Sequence, residues 1–348
     1  MSLWLVRAGR HGEHEQHFFD TGRVYLTWGG NLQDIDLHQA TDYDGIKQLV
    51  FAAYPSEPKN RLQNWTGQIS AFALGMKPGD WVVVPRKTKA AIAFAEVSGA
   101  YTFDLTAAKP YRHLRSVKWL NTDVPRSAFD QDVLYSFGAF MTVCEIKRND
   151  AEKRIRAMAQ SGWTSASAGP VKTKAAPSDT DAVEEAVDLE QLARDQIAKL
   201  IERRFKGHEM ARLVEAILNA QGYTTFKSPP GPDKGIDILA APGPLGFGRP
   251  RICVQVKSQD APVDSPTLHQ LIGTMQGVQA DQGLLVAWGG WKSSVDKELP
   301  NQFFRVRIWD QDDLIEQMLE QFDRLPEDLR AELPLKRIWT VASAEEDE

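Results

Sequence analysis

The chain has 348 residues, 42% of them hydrophobic and 25% charged, with a formal net charge of −6. That length supports two packed domains, and an acidic total excludes a protein whose whole surface grips nucleic acid. The apolar runs stop far short of the ~20 residues that span a bilayer, "MSLWLVRAGRHGE" does not read as a signal peptide, and Cys144 and Cys253 sit singly in apolar segments, so the expectation is a cytoplasmic protein with reduced thiols and no membrane partner.

In the first half, short apolar strings lie between turn signals: "LWLVRAG", "RVYLTWGG", "GDWVVVPR", "AAIAFAEVSGAY", "SVKWL" and "FMTVCEIK". Small strands at this spacing predict a compact β-barrel-like domain over residues 1–157, with "DYDGIKQLVFAAYP" and "RLQNWTGQISAFALGM" as helices, hence an α+β class. His11, His14 and His17 recur every three residues in "RHGEHEQH". Without a cysteine beside them they read as an exposed polar segment, a metal site being the sharper alternative. This half is the more basic one, with 20 Lys and Arg against 17 Asp and Glu, whereas the remainder holds 21 against 30. Arg86, Lys87 and Lys89 share one loop suited to phosphate contacts. Trp28, Trp65, Trp81 and Trp119 are ring surfaces for an extruded base, or, taken singly, core residues.

Residues 158–186 are rich in Ser, Ala, Thr, Pro and Gly and lack apolar periodicity, which predicts a flexible linker. A second domain is expected over residues 187–341, before an acidic tail at 342–348. It begins with one long helical pattern, "LEQLARDQIAKLIERRFKGHEMARLVEAILNAQGY", whose end is marked by Gly222. Strand, strand, helix, strand, strand, helix follow: "GIDILAA", "RICVQVKS", "SPTLHQLIGTMQGV", "GLLVAWGG", "FFRVRIWD" and "QDDLIEQMLEQF". The class is α/β, a mixed sheet flanked by helices.

The first two of those strands carry polar residues where a buried strand should have none. Alternation puts Cys253, Gln255 and Lys257 on one face of "RICVQVKS", opposite Ile252, Val254 and Val256, and sets Asp237 against Ile236 and Ile238. The Gly/Pro-rich stretch between the strands allows a hairpin, and a register that joins the polar faces gathers Asp237, Gln255 and Lys257. A carboxylate and an amide oxygen are hard ligands suited to Mg²⁺, and an ammonium beside them can orient a water or offset charge on a phosphorane-like transition state. A plain edge hairpin with solvated polar residues fits the same spacing.

"GPDKGIDILA", "RICVQVKSQ", "LHQLIGTMQGVQADQGLLVAWGGW" and "MARLVEAILNAQGY" together resemble the catalytic domain of the Mrr-like restriction endonucleases, within the PD-(D/E)xK nuclease superfamily. The resemblance implies a Mg²⁺-dependent DNA endonuclease, Mn²⁺ being able to substitute. Asp237 then matches the metal-binding aspartate, Gln255 the variant acidic position and Lys257 the motif lysine, with the Val256 main-chain carbonyl as a further metal ligand. Many relatives add a glutamate from the first helix, and here that position falls on Ala211. Glu215, Glu209, His208 and Asp233 are the candidates to replace it. "MKPGDWVVVPRKTKAAIAFAEVSGAY" and "SVKWLNTDVPRSAF" resemble the PUA-like barrels, which include readers of modified bases. The expected partner is double-stranded DNA, modified or foreign, as for a restriction or phage-defence enzyme. A homodimer fits double-strand cleavage. A non-cleaving DNA-binding module with a decayed site, or a junction-resolvase-like nuclease, are the alternatives.

Overall fold

The computed structural model describes residues 1–28, 30–139, 141–163, 188–229 and 235–339. The chain forms two compact units, Met1–Asp188 and Leu189–Glu348. Among the described residues no helix is long and apolar enough to cross a membrane.

Among the described residues the first unit holds six strands, β1 (Leu3–Val6), β2 (Arg23–Tyr25), β3 (Trp81–Pro85), β4 (Ala91–Phe103), β5 (His113–Pro125) and β6 (Val143–Glu145), in the order β2-β5-β4-β3-β1-β6. Only β1 and β3 run parallel; the other neighbours are antiparallel. Helices α1 (Glu15–Thr21), α2 (Tyr43–Ala53) and α3 (Lys59–Ser70) cover one face, where Phe18, Ile46, Val50 and Ile69 meet Val6, Val82, Val84 and Ala95. Helices α4 (Gln131–Phe137) and α5 (Ala151–Gln160) cover the other, where Phe137, Ile155 and Met158 meet Leu5, Val83 and Phe94.

The barrel expected from the sequence is therefore not closed: among the described residues β2 and β6 end an open sheet without pairing to each other. The physical reason lies in "LWLV" and "WVVVP", every residue of which is buried. A strand covered on both faces is a continuous apolar run and belongs to the middle layer of a three-layer unit, whereas a barrel strand alternates. The first unit also runs further than residue 157. Met158 lies in the core, and Trp163 stacks on Phe94 at 4.8 Å between ring centroids. Most of the expected linker, residues 164–187, lies outside the described residues, as does the expected acidic tail.

The second unit is a five-stranded mixed sheet of order β11-β10-β9-β8-β7, built from β7 (Tyr223–Lys227), β8 (Ile238–Pro242), β9 (Ile252–Lys257), β10 (Gln282–Ala287) and β11 (Val306–Trp309). Strands β7, β8 and β9 are antiparallel, and β9, β10 and β11 parallel. Helices α6 (Leu189–Arg204), α7 (His208–Ala220), α8 (Ser265–Gly277), α9 (Ser293–Asp296), α10 (Gln311–Gln321) and α11 (Glu327–Glu332) complete it. Leu213, Val214 and Ile217 of α7, with Ile201, Leu314 and Met318, pack on Ile238, Val254 and Val286; on the other face Leu268, Leu271 and Met275 of α8 pack on Cys253, Leu285 and Ala287.

The single long helix read from the sequence is two, α6 and α7. Gly207, at φ +64° and ψ −127°, breaks it with a backbone geometry that costs a residue bearing a Cβ. Strand β7 had no counterpart in the sequence reading. It is an edge strand of mostly exposed or half-buried residues, without the apolar pattern that marks the others.

Candidate active site

The β8–β9 ladder ends at the pair Ile238–Val254, which fixes what happens one residue earlier. Asp237 still donates its N–H to the Val254 carbonyl at 3.0 Å and accepts from Ser228 N–H at 2.9 Å. Its side chain does what a further strand residue would have done: Oδ2 accepts the Val256 N–H at 2.7 Å. The carboxylate is thereby held against the backbone of β9. Because N–H and C=O of one strand residue point the same way, the Val256 carbonyl faces that side too.

Gln255 belongs to the α8 face of β9 with Cys253 and Lys257, following the two-residue alternation. The Cys253 thiol there is pushed up to about 11, first by burial and then by the charge of Asp237. The structure thus sets the Asp237 carboxylate against β9 at Val256, the residue between Gln255 and Lys257. The local pattern differs from expectation at Ile236, which packs on the α8 side although Ile238 faces α7. Alternation starts only at Ile238, since the chain enters from a turn at Gly235 with φ +82°.

Gln255 is 0% exposed, and among the described residues neither its Oε1 nor its Nε2 has a hydrogen-bond partner. Leaving one such buried group unsatisfied costs about 1–3 kcal/mol. A fully buried amide with both ends unmade, beside a carboxylate, is a pair of hard oxygen donors waiting for an electrophile. The residues present fit a divalent cation of the Mg²⁺ class in donor chemistry, though not in charge. Among the described residues no three His, Cys, Asp or Glu side chains gather into a metal-holding group.

The candidates for the additional ligand are spread apart. Glu215 accepts from Thr225 Oγ1 at 3.2 Å and pairs with Lys227 at 3.3 Å, which ties it to β7 on the α7 side of the sheet. Ala211 is buried in that core. Glu209 pairs with Arg212 at 2.7 Å and His208 is exposed. Asp233 lies outside the described residues.

In the first unit, the loop cations read as phosphate contacts are neutralised within the fold. Arg86 is half-buried between Glu15, at 3.0 Å, and Asp123, which also lies 3.8 Å from Lys89; Lys87 pairs with Asp188 at 3.2 Å. The expected exposed histidine run is likewise revised. His14 bonds the Tyr111 hydroxyl at 3.0 Å, with burial holding its pKa below the ordinary value, and His17 stacks on the Tyr111 ring at 3.9 Å. Of the four tryptophans, Trp81 is core and Trp119 donates to the Phe18 carbonyl at 3.3 Å. Trp28 and Trp65 remain half-buried, 5.6 Å apart, with Tyr54 set edge-on at 5.0 Å from Trp65. Trp28 Nε1 is buried and without a partner among the described residues. Tyr54 was not singled out in the sequence, where nothing marks it as the third ring.

Residues 202–318 match the Mrr catalytic-domain family, described as "Restriction endonuclease". Residues 4–146 match a domain of unknown function, DUF8426. No curated protein matches. Among solved structures, the DNA modification-dependent restriction endonuclease AspBHI is similar at 14% identity and a TM-score of 0.33, over 80% of this chain and 74% of that one. The MspJI restriction endonuclease in complex with a 27-mer oligonucleotide is similar at 12% identity and a TM-score of 0.31, over 91% and 75%. Likenesses at these scores carry no argument. The family match covers both β8 and β9 and identifies a restriction endonuclease domain within the second unit.

Proposed function

We propose that the chain is a divalent-ion-dependent DNA endonuclease of restriction type, directed at modified or foreign DNA. The observation that carries the reading is the unsatisfied Gln255 amide beside Asp237, inside the segment matched to the nuclease family. Asp237, Gln255 Oε1 and the Val256 carbonyl would hold Mg²⁺, or Mn²⁺ in its place. When bound, such an ion supplies Lewis-acid stabilisation of the phosphate and lowers the pKa of a water.

The chain's own residues do the rest. Asp237 is braced by the Val256 N–H, so its carboxylate is oriented before DNA arrives. Lys257, on the Gln255 side of β9, orients the attacking water and offsets negative charge on the pentavalent phosphorus. The cleaved bond is the P–O ester of the held phosphate, with water's oxygen joining phosphorus. With Asp237 as the lone carboxylate of the described site, a DNA phosphate would supply the remaining charge for the ion, so ion and DNA would bind cooperatively. In the first unit the Trp28, Tyr54 and Trp65 rings are the surface proposed to hold an extruded base, since ring faces stack bases at about 1–3 kcal/mol each.

The lone carboxylate also suits a non-cleaving DNA-binding module, so one experiment must separate the two. Purified protein is incubated with unmodified, methylated, hydroxymethylated and branched DNAs, in Mg²⁺ and in EDTA. Cutting of a modified linear duplex in Mg²⁺ alone is expected. Binding without cutting across the whole panel would favour the non-cleaving module, and cutting confined to branched DNA a resolvase-like enzyme.

A further inference from the structure

The carboxamide of Gln255 has two unlike ends, and only its oxygen can serve a hard cation. Nothing in β9 itself decides which end faces Asp237. The answer lies across the turn that leads into β8. A Cβ built on Gly235 would stand 3.0 Å from Gln255 Nε2 and 3.0 Å from Gln270 Nε2. Gln270 is an exposed residue of α8. Two amides from different elements, one fully buried and one facing solvent, therefore close over the space left by a glycine. A Cβ at 235 would press on both amides.

We propose that Gln270 is a positioning residue for the nuclease site, accepting a hydrogen bond from Gln255 Nε2 and so turning Gln255 Oε1 toward the cation held with Asp237. The inference rests on the reading of Gln255 as an ion ligand. A half-turn of the terminal amide presents the Gln270 oxygen in place of its nitrogen, and that torsion is broad and two-fold. The two ends of an amide are told apart by hydrogen bonding alone. Among the described residues Gln255 takes no side-chain hydrogen bond, and Gln270 is the amide that shares the space at Gly235 with it.

Mn²⁺ is titrated calorimetrically into the full chain bound to DNA, in a Lys257→Ala background that keeps the DNA whole. Gln270→Leu should weaken Mn²⁺ affinity about five- to tenfold, the order of one lost hydrogen bond. Gln270→Glu, which keeps an acceptor, should restore most of it, whereas a general loosening of α8 would not be rescued by one particular side chain. The sharpest arm uses Gln255→Glu. A carboxylate has two equivalent oxygens and nothing to orient, so Gln270→Leu should then have no effect or a reversed one. Equal Mn²⁺ affinity with and without Gln270, or the same loss in the Gln255→Glu background, overturns the proposal. Absence of Mn²⁺ binding in the parental complex would instead remove the ion-site reading on which it stands.

Discussion

Lys257→Ala should abolish detectable cleavage and leave DNA affinity within a few-fold of the parent. The expected loss in single-turnover rate is about 10²–10⁴, the range for removing a group that helps transfer a proton or stabilise charge in the transition state. Affinity is spared because Lys257 is half-buried at the end of β9 and is one cation among the many phosphate contacts that set binding. Its main chain also belongs to the ladder, with the carbonyl accepting Trp288 N–H at 2.9 Å, so the truncated side chain leaves the sheet intact. Rate is read by quenched flow on labelled duplex and affinity by fluorescence anisotropy. A variant that cuts at the parental rate removes Lys257 from the chemistry, and with it the assignment of Asp237 and Gln255 as its companions.

A protein cut back to the second unit, Leu189–Glu348, should keep Asp237, Gln255 and Lys257 and lose its preference for modified DNA. The two compact units have separate cores, so the fragment retains everything that orients the site. It should cut modified and unmodified duplexes at similar rates, both at least tenfold below the full chain on its preferred DNA, because base stacking in the first unit is worth about 1–3 kcal/mol per base. Replacing Trp28 and Trp65 by Ala in the full chain should equalise the two substrates in the same way without touching the nuclease. Undiminished discrimination by the fragment would place recognition in the second unit.

What the sequence disclosed follows from which interactions are local. Strands β8 to β11 and helices α8 and α10 stood out because their apolar residues repeat at periods of two or near four, and Asp237, Gln255 and Lys257 stood out as polar interruptions of that pattern. The break between α6 and α7 was hidden because Gly207 sits alone among helix formers, and a lone glycine costs a helix only ~1 kcal/mol. The edge strand β7 carries little pattern, and its absence from the reading hid the contacts of Glu215 with Thr225 and Lys227. Arg86 was misread for the same kind of reason. Its counter-charges, Glu15 and Asp123, lie 71 and 37 residues away, where no local rule reaches. Gln270 carries no mark at all, since its nearness to Gln255 depends on where the Gly235 turn meets α8.

The most direct measurement of the central claim is the number of Mn²⁺ ions bound by the DNA complex, by calorimetry on the Lys257→Ala protein with and without Asp237→Ala. The expected result is one ion per chain that binds at least tenfold more tightly with DNA present than without, and that is lost when Asp237 is replaced. An ion bound equally well in the Asp237→Ala protein, or no ion in either, would contradict a metal site built on Asp237, Gln255 and the Val256 carbonyl.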